Sequence, residues 1–356
     1  MKVLFIANSD RHIKLCHIPY LKLFHDNNYI VHVATNTNTK IPFCDTKINL
    51  KLKRNPYSFL NLFAVFKIRK LIKHEKYDLI SCHTPIGGFL GRVGAIGTKT
   101  KVFYTAHGFH FYKGAPIINW IIYYPIEKFL SRFTTAIITM NEEDYLIASK
   151  KFHTKIYKIN GIGYNSSRLK ITNNNLKKEL NLENYFIVTY IAEISKRKNQ
   201  LNLIKELNKI DLEKEKIKVL LIGDSIIPNF KDKIKNNNII YLGFKENVGD
   251  YINISDIFIS ASLQEGLPLC ILEAMYFNKY IIGLNIRGNK DLINNKNGLL
   301  VNNLEELVNE ILIYKNNNKK IINNNINKYK LNQVMKTIIK IYNKYLLNKL
   351  KIYIDK

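Results

Sequence analysis

Short runs of apolar, β-branched residues recur along nearly the whole chain, and stretches of helical length separate most of them. In the first half these runs fall at 2–7 (KVLFIA), 30–35 (IVHVAT), 78–82 (DLISC), 101–106 (KVFYTA) and 135–140 (TAIITM). The second half repeats the scheme at 186–192, 217–222, 239–242, 256–260, 280–284 and 298–301. Segments such as 14–27 and 58–75 have the length and spacing of helices. A strand that is apolar at every position, rather than at alternate ones, must be covered on both faces. Strands of that kind alternating with helices predict parallel sheets sandwiched between helical layers.

At 356 residues the chain is long enough for two such domains, each Rossmann-like and doubly wound. The stretch 160–184 is polar and rich in Gly, Asn and Ser, and a fresh strand follows it. The expected division is an N-terminal Rossmann-like domain over 1–165, a linker over 166–184 and a C-terminal Rossmann-like domain over 185–335. Residues 303–350 look helical, and 336–356 is expected as a basic helix packing back on the N-terminal domain. Open α/β sheets place ligands at the carboxyl ends of their strands, so a facing pair is expected to bind across a cleft.

The chain carries 55 Lys and Arg against 28 Asp and Glu, a formal charge of +27. That balance suits a polyanionic neighbour: nucleic acid, an anionic membrane or a phosphate-bearing substrate. A bias toward Lys, Asn, Ile and Tyr, visible in Asn runs such as 173–175 and 236–238, accounts for part of it without any site. Cys16, Cys44, Cys82 and Cys270 are scattered, with neither C-x-x-C spacing nor a His cluster at zinc-ligand spacing. They read as reduced thiols of a cytoplasmic protein. The N-terminal apolar run is too short for a signal peptide, and no stretch reaches the ~20 apolar residues of a bilayer span.

Residues 260–275 (SASLQEGLPLCILEAM) hold most of the chemistry. A strand end, a loop and a helix follow one another, with Pro268 expected in the first helical turn, where its missing N–H costs nothing. Gly266 allows close backbone approach, and the N–H groups around Gly266 and Leu267 would face an anion at the positive end of the helix. Glu265 and Glu273 flank that position. They suit hydroxyl groups of a ribose or sugar ring better than phosphates. A capped helix with two solvated glutamates is the bland alternative.

The segment E-G-L-P-L-C-I-L-E-A-M resembles the E-x7-E signature of the family 4 glycosyltransferases, and the likeness extends over roughly residues 1–345. The resemblance implies the GT-B fold and retention of anomeric configuration. It also implies that Glu265 lies near the donor sugar and Glu273 binds the nucleotide ribose. Ala-Glu-Ile-Ser-Lys-Arg-Lys-Asn at 192–199 stands where the family usually has G-R-L-x-x-x-K-G. Lys198 matches the phosphate-binding Lys, the Arg position is Glu193, and Arg197 is the substitute cation. The run Y-T-A-H-G-F-H-F at 104–111 resembles polysaccharide-building members, in which such a His faces the donor sugar. His107 takes that role, with a packed core position expected for His110. His17, in H-I-P-Y-L, and His83, in H-T-P-I-G-G, fit the same subgroup, as does the helix cap at Asn141, and all three are acceptor-side candidates. The resemblance implies acceptor binding by the 1–165 domain and nucleotide-sugar binding by the 185–335 domain. Gly87 and Gly88 suit close approach to substrate. Arg11, in a first loop that lacks the family's glycines, is offered to an acceptor phosphate.

Residues 51–76 carry eight Lys/Arg and one Glu around Phe59, Leu60, Leu62, Phe63, Val65 and Phe66, a basic amphipathic pattern that reads as binding a membrane surface. Residues 115–126 (APIINWIIYYPI) are apolar, aromatic and too short to span. The expected reaction is transfer of a hexose or N-acetylhexosamine from a UDP-sugar to a polyprenyl-diphosphate-linked saccharide, on the inner face of the cytoplasmic membrane. Such a hexosyltransferase builds capsule, lipopolysaccharide or a similar bacterial polysaccharide. No D-x-D motif stands in a suitable loop, so neither a metal nor another cofactor is expected. A nucleotide-sugar epimerase is the alternative on the same fold, and charge alone would allow a nucleic-acid-binding protein, for which no motif is present.

Overall fold

A computed structural model describes residues 1–52, 59–317, 326–347 and 349–351. The chain divides into two compact units, Met1–Ile162 with Asn332–Lys356, and Gly163–Leu331.

The first unit runs β1 (Lys2–Ile6), α1 (Asp10–Cys16), α2 (Ile18–Asp26), β2 (Ile30–Thr35), β3 (Thr46–Asn49), α3 (Phe59–Glu75), β4 (Leu79–His83) and α4 (Pro85–Ala95). It continues with β5 (Lys101–Ala106), α5 (Ile117–Ser131), β6 (Ala136–Thr139), α6 (Glu142–Lys151) and β7 (Lys155–Lys158). The seven strands form one parallel sheet in the order β3-β2-β1-β4-β5-β6-β7. The central strands are buried at almost every position because helices cover both faces. The edge strands β3 and β7 were not legible in the sequence. Each is four residues long and at least half polar, with Ile48 the one buried side chain of β3.

Helix α4 lies close against the sheet because one of its faces is glycine. A Cβ on Gly88 would sit 2.4 Å from the Tyr104 ring, and one on Gly91 2.2 Å from Cys82 Sγ. Gly87 similarly faces the Ile6 carbonyl at 2.9 Å. The expectation that Gly87 and Gly88 serve a substrate is therefore corrected: they make room for β1 and β5. On the same helix the fully buried Arg92 forms a two-pronged ion pair with Glu127 of α5, at 2.7 and 2.9 Å, and stacks on Tyr104.

The second unit contains α7 (Leu176–Glu179), β8 (Phe186–Ile191), α8 (Gln200–Leu207), β9 (Ile217–Ile222), β10 (Ile239–Gly243) and α9 (Val248–Ile254). After these come β11 (Ile257–Ser260), α10 (Leu269–Tyr276), β12 (Tyr280–Leu284), β13 (Gly298–Val301) and α11 (Leu304–Asn317). Its parallel sheet has the order β10-β9-β8-β11-β12-β13. Residues 166–184, read as a linker, belong to this unit: Leu169, Leu176 and Leu182 are buried in its core. Their polar neighbours disguised three anchoring leucines.

Helix α12 (Leu331–Tyr342) leads back into the first unit. Tyr342 packs edge-on to Phe103 at 4.7 Å and bonds Ser81 through its hydroxyl, and Tyr345 meets the Tyr157 hydroxyl at 3.1 Å. The helix ends at Tyr342, short of the expected 350, and Asn343–Tyr345 form a turn. Of the expected basic helix, residues 348 and 352–356 lie outside the described residues.

Candidate functional site

A doubly wound sheet reverses its strand order at one place, and the loops leaving the two strands there diverge to open a crevice at the carboxyl edge. The first sheet reverses between β1 and β4, the second between β8 and β11. Polar side chains gather at both places, and they are of opposite character.

In the second unit the loop after β8 carries Lys196, Arg197 and Lys198, and the loop after β11 carries Glu265. Lys198 Nζ forms an ion pair with Glu265 Oε1, and Arg197 Nη1 lies 3.5 Å from Oε2. Arg197 also donates to the Gln264 carbonyl at 3.0 Å, while its own carbonyl accepts from the Leu263 N–H at 2.9 Å. Two loops 67 residues apart in sequence are thus tied together around one buried carboxylate. Two cations against one anion leave an excess of one positive charge at the strand ends.

Helix α10 begins at Leu269, so Pro268 stands one position before the helix rather than inside its first turn. Its extended backbone, with ψ at 118°, is the reason, and no side chain caps the helix start. The N–H groups of that first turn are available to an anion. Glu273 projects from the second turn of α10 and is half-buried. Burial pushes its carboxyl up to about 7, against the opposing pull of the Arg168 guanidinium. Sequence reasoning missed Arg168, which lies in the 3₁₀ turn Ser166–Arg168 within the supposed linker. It also missed Arg287 and Gly288. Arg287 is buried and donates through Nε to the Glu265 carbonyl at 3.1 Å. Gly288 has φ +82°, and a Cβ there would fall 2.6 Å from the Gly266 carbonyl oxygen. Together they brace the backbone of Glu265 and Gly266. The signal was an Arg-Gly-Asn triplet just past the carboxyl end of β12.

In the first unit four histidines converge. His12 comes from α1, His17 from the break between α1 and α2, His83 from the end of β4 and His107 from just beyond β5. His12 Nε2 lies 3.3 Å from His107 Nε2 and 3.2 Å from His17 Nε2. His83 Nδ1 lies 3.5 Å from His107 Nε2, and its ring packs on that of His17 with centroids 3.7 Å apart. His83 Nε2 meets Ser81 Oγ at 3.0 Å, and Ser81 in turn meets the Tyr342 hydroxyl.

Local backbone holds this group in place. Ser9 caps α1 by accepting from the His12 N–H, which places His12 in the first turn. Thr84 adopts φ +64°, a costly conformation for a β-branched residue, while its hydroxyl accepts from the Asn8 and Gly87 N–H groups. That tight corner ends β4 at His83. Burial keeps the imidazoles neutral. It lowers His12 to about 4 and holds His17, His83 and His107 well below the ordinary range, with mutual repulsion of like charges adding to the effect in the last three.

The other residues singled out in sequence fall elsewhere. Arg11 is exposed on α1, next to His12. Asn141 is fully buried and serves the fold: its carbonyl oxygen caps α6 at the Asp144 N–H, and its amide donates to the Asp144 carboxylate. His110 packs its ring on Tyr123 at 4.5 Å.

Residues 2–141 match the family described as glycosyl transferase 4-like, and residues 185–317 match glycosyl transferases group 1. EpsD of Bacillus subtilis (strain 168), a glycosyltransferase by name, is 35% identical over 316 residues, covering 84% of this chain and 83% of EpsD. The chain belongs to this glycosyltransferase family. A further relative is the UDP-Gal:alpha-D-GlcNAc-diphosphoundecaprenol alpha-1,3-galactosyltransferase of Escherichia coli, 29% identical over 73% of this chain and 72% of that enzyme. Among solved structures, Anabaena Alr3699/HepE in complex with UDP and glucose superposes with a TM-score of 0.76 at 18% identity, covering 97% of this chain and 100% of that one. The two parallel-sheet domains are therefore those of a GT-B glycosyltransferase. The nucleic-acid reading, which rested on charge alone, gives way to it. Among the described residues of this glycosyltransferase, no helix is long and apolar enough to cross a membrane.

Proposed function

We propose that the protein is a retaining hexosyltransferase of bacterial cell-surface polysaccharide synthesis. It moves a hexose or N-acetylhexosamine from a UDP-sugar to a polyprenyl-diphosphate-linked saccharide. The observation that carries this reading is the joining of Lys198, Arg197 and Glu265 ahead of the uncapped start of α10. When the bond between sugar and diphosphate breaks, negative charge collects on the departing phosphate oxygens. Groups already in place to receive that charge lower the barrier without reorganising. Lys198, Arg197 and the N–H groups around Gly266 and Leu267 do this, and the diphosphate needs no metal. Glu265, held by two cations, accepts a hydroxyl of the donor sugar, and Glu273 accepts from the ribose. His107 stays assigned to the donor sugar, and Arg11, His17 and His83 to the acceptor side.

The names of relatives support the substrate classes: the Escherichia coli enzyme is named for UDP-Gal and a diphosphoundecaprenol acceptor, and HepE was crystallised with UDP and glucose. A membrane-facing position is favoured by α3, where Phe59, Leu62, Phe63 and Phe66 are exposed beside exposed Lys67, Lys70 and Lys73. On α5, Ile117, Ile118 and Ile121 are exposed as well. Residues 53–58 of the basic amphipathic stretch lie outside the described residues.

Incubating the protein with UDP-, GDP- and ADP-sugars, with and without a polyprenyl-diphosphate saccharide, tests the proposal. Transfer from a UDP-sugar, with an unchanged anomeric configuration in the product by NMR, is expected. An isomeric nucleotide sugar formed without acceptor would identify an epimerase instead.

A further inference from the structure

We propose that His12, His17 and His107 form a binding site for a zinc-class transition-metal ion within the first unit, with a fourth coordination position left open to an oxygen ligand. The ligand atoms of the three all lie within 4.8 Å of one another. Two of the edges, between His12 Nε2 and the Nε2 atoms of His17 and His107, are 3.2 and 3.3 Å long. Ions of this class bind imidazole at about 2.0–2.1 Å, and tetrahedral ligands at that distance stand about 3.3–3.4 Å apart. The two edges at His12 match that spacing, and the third is no longer than 4.8 Å.

Hydrogen bonding alone accounts for the cluster less well. A ring nitrogen carries either one proton or one lone pair, so His12 Nε2 cannot make a good bond to both of its neighbours at once. An ion at the centre takes all three lone pairs. His83 packs on His17 and is anchored through Ser81 to Tyr342, and its Nδ1 lies 3.5 Å from the same His107 Nε2 that would ligate, so an ion would replace that contact. Three imidazoles with an open position are the pattern of sites that bind a water or substrate oxygen, as opposed to closed structural sites.

The inference departs from the expectation that the chain holds no metal, which came from the absence of an acidic motif for the diphosphate. His12 and His17 come from the segment after β1 and His107 from the end of β5, so no single spacing in the sequence announces the three. It does not rest on the charged crevice of the second unit, but a bound ion would take the Nε2 atoms of His107 and His17 from the donor sugar and the acceptor, so at these two residues it replaces those assignments.

Full-length protein, stripped with a chelator and titrated with Co²⁺, tests it by visible d–d absorption. One equivalent should bind, with the intense bands of a four- or five-coordinate ion, and Zn²⁺ should displace it. His12→Asn, at a half-buried helical position, and His107→Asn should each weaken Co²⁺ binding by about 100-fold or more, the upper range for removing a mere supporting group. The double variant His25→Gln/His153→Gln, at exposed positions, should bind as the parent does. Circular dichroism checks that each variant is folded. Parent protein that binds Co²⁺ no better than a folded His12→Asn/His107→Asn double variant, or shows only weak octahedral bands, overturns the proposal.

Discussion

The two units solve one topological problem with opposite chemistry. Each places its first strand in the centre of a parallel sheet and reverses direction beside it, so each opens a crevice between the loops after that strand and its neighbour. The second unit fills the crevice with charge: Lys198 and Arg197 around Glu265, and Glu273 behind them. In the first unit the corresponding place holds neutral rings, four imidazoles within contact of one another. The lesson is that the sheet supplies a location and the loop residues supply its function. A charged crevice suits the phosphate side of a donor. An uncharged one offers lone pairs and ring N–H groups, which suit hydroxyls or a metal.

The comparison breaks most readily at Lys198. Lys198→Ala should lower the transfer rate by about 10²–10³-fold, the range for losing one preorganised donor to a developing charge. A smaller loss than His107→Ala causes, in the same transfer assay, would reverse the assignment of the charged crevice to the leaving group.

A middle-sized effect is expected at Glu273. Burial raises its carboxyl to about 7 in the folded, unliganded protein, well above the ordinary value near 4.5. Between those two pH values the folded state holds a proton that the unfolded state has lost. Stability from this group is therefore present below the lower value and falls as pH rises through about 7. A ribose hydroxyl donates best to the ionised form, so UDP-sugar affinity should rise about tenfold from about pH 6 to about pH 8. Glu273→Gln should abolish that rise and remove the loss of thermal stability that this group causes between about pH 4.5 and about pH 7. Calorimetric binding and thermal melts across this range check both, and an unchanged pH profile in the variant would dissociate Glu273 from the donor.

The smallest effect separates the crevices by their charge. Raising NaCl from about 0.05 to about 0.5 M should weaken UDP-sugar binding several-fold, because the donor is an anion meeting partly exposed cations. Co²⁺ binding by neutral imidazoles should move far less over the same range. Equal salt sensitivity would remove the distinction.

Much of the fold was legible because a strand covered on both faces must be apolar at every position. The central strands showed this in their residues, whereas β3 and β7 did not, since an edge strand of four residues has few positions to mark. Of the donor crevice, Glu265, Glu273 and Lys198 were visible through one local segment and one strand-end loop. Arg168, Arg287 and Gly288 were not, because each acts on that segment from a distant part of the chain. Gly87 and Gly88 misled for a related reason: a glycine makes room, and only packing shows for what.

The sequence by itself determined the alternation of strand and helix, the presence of two parallel sheets, the family and the Glu265–Glu273 segment. All of these are written in neighbouring residues, where periodicity and short spacing are the physical constraint. Tertiary structure alone decided that residues 166–184 are core rather than linker and that α12 packs in the first unit. It also decided that four histidines spread over residues 12–107 meet at one sheet edge. A parallel sheet brings together the ends of strands that are far apart in sequence, so His17, His83 and His107 each stand in a local motif while their meeting with His12 leaves no local trace.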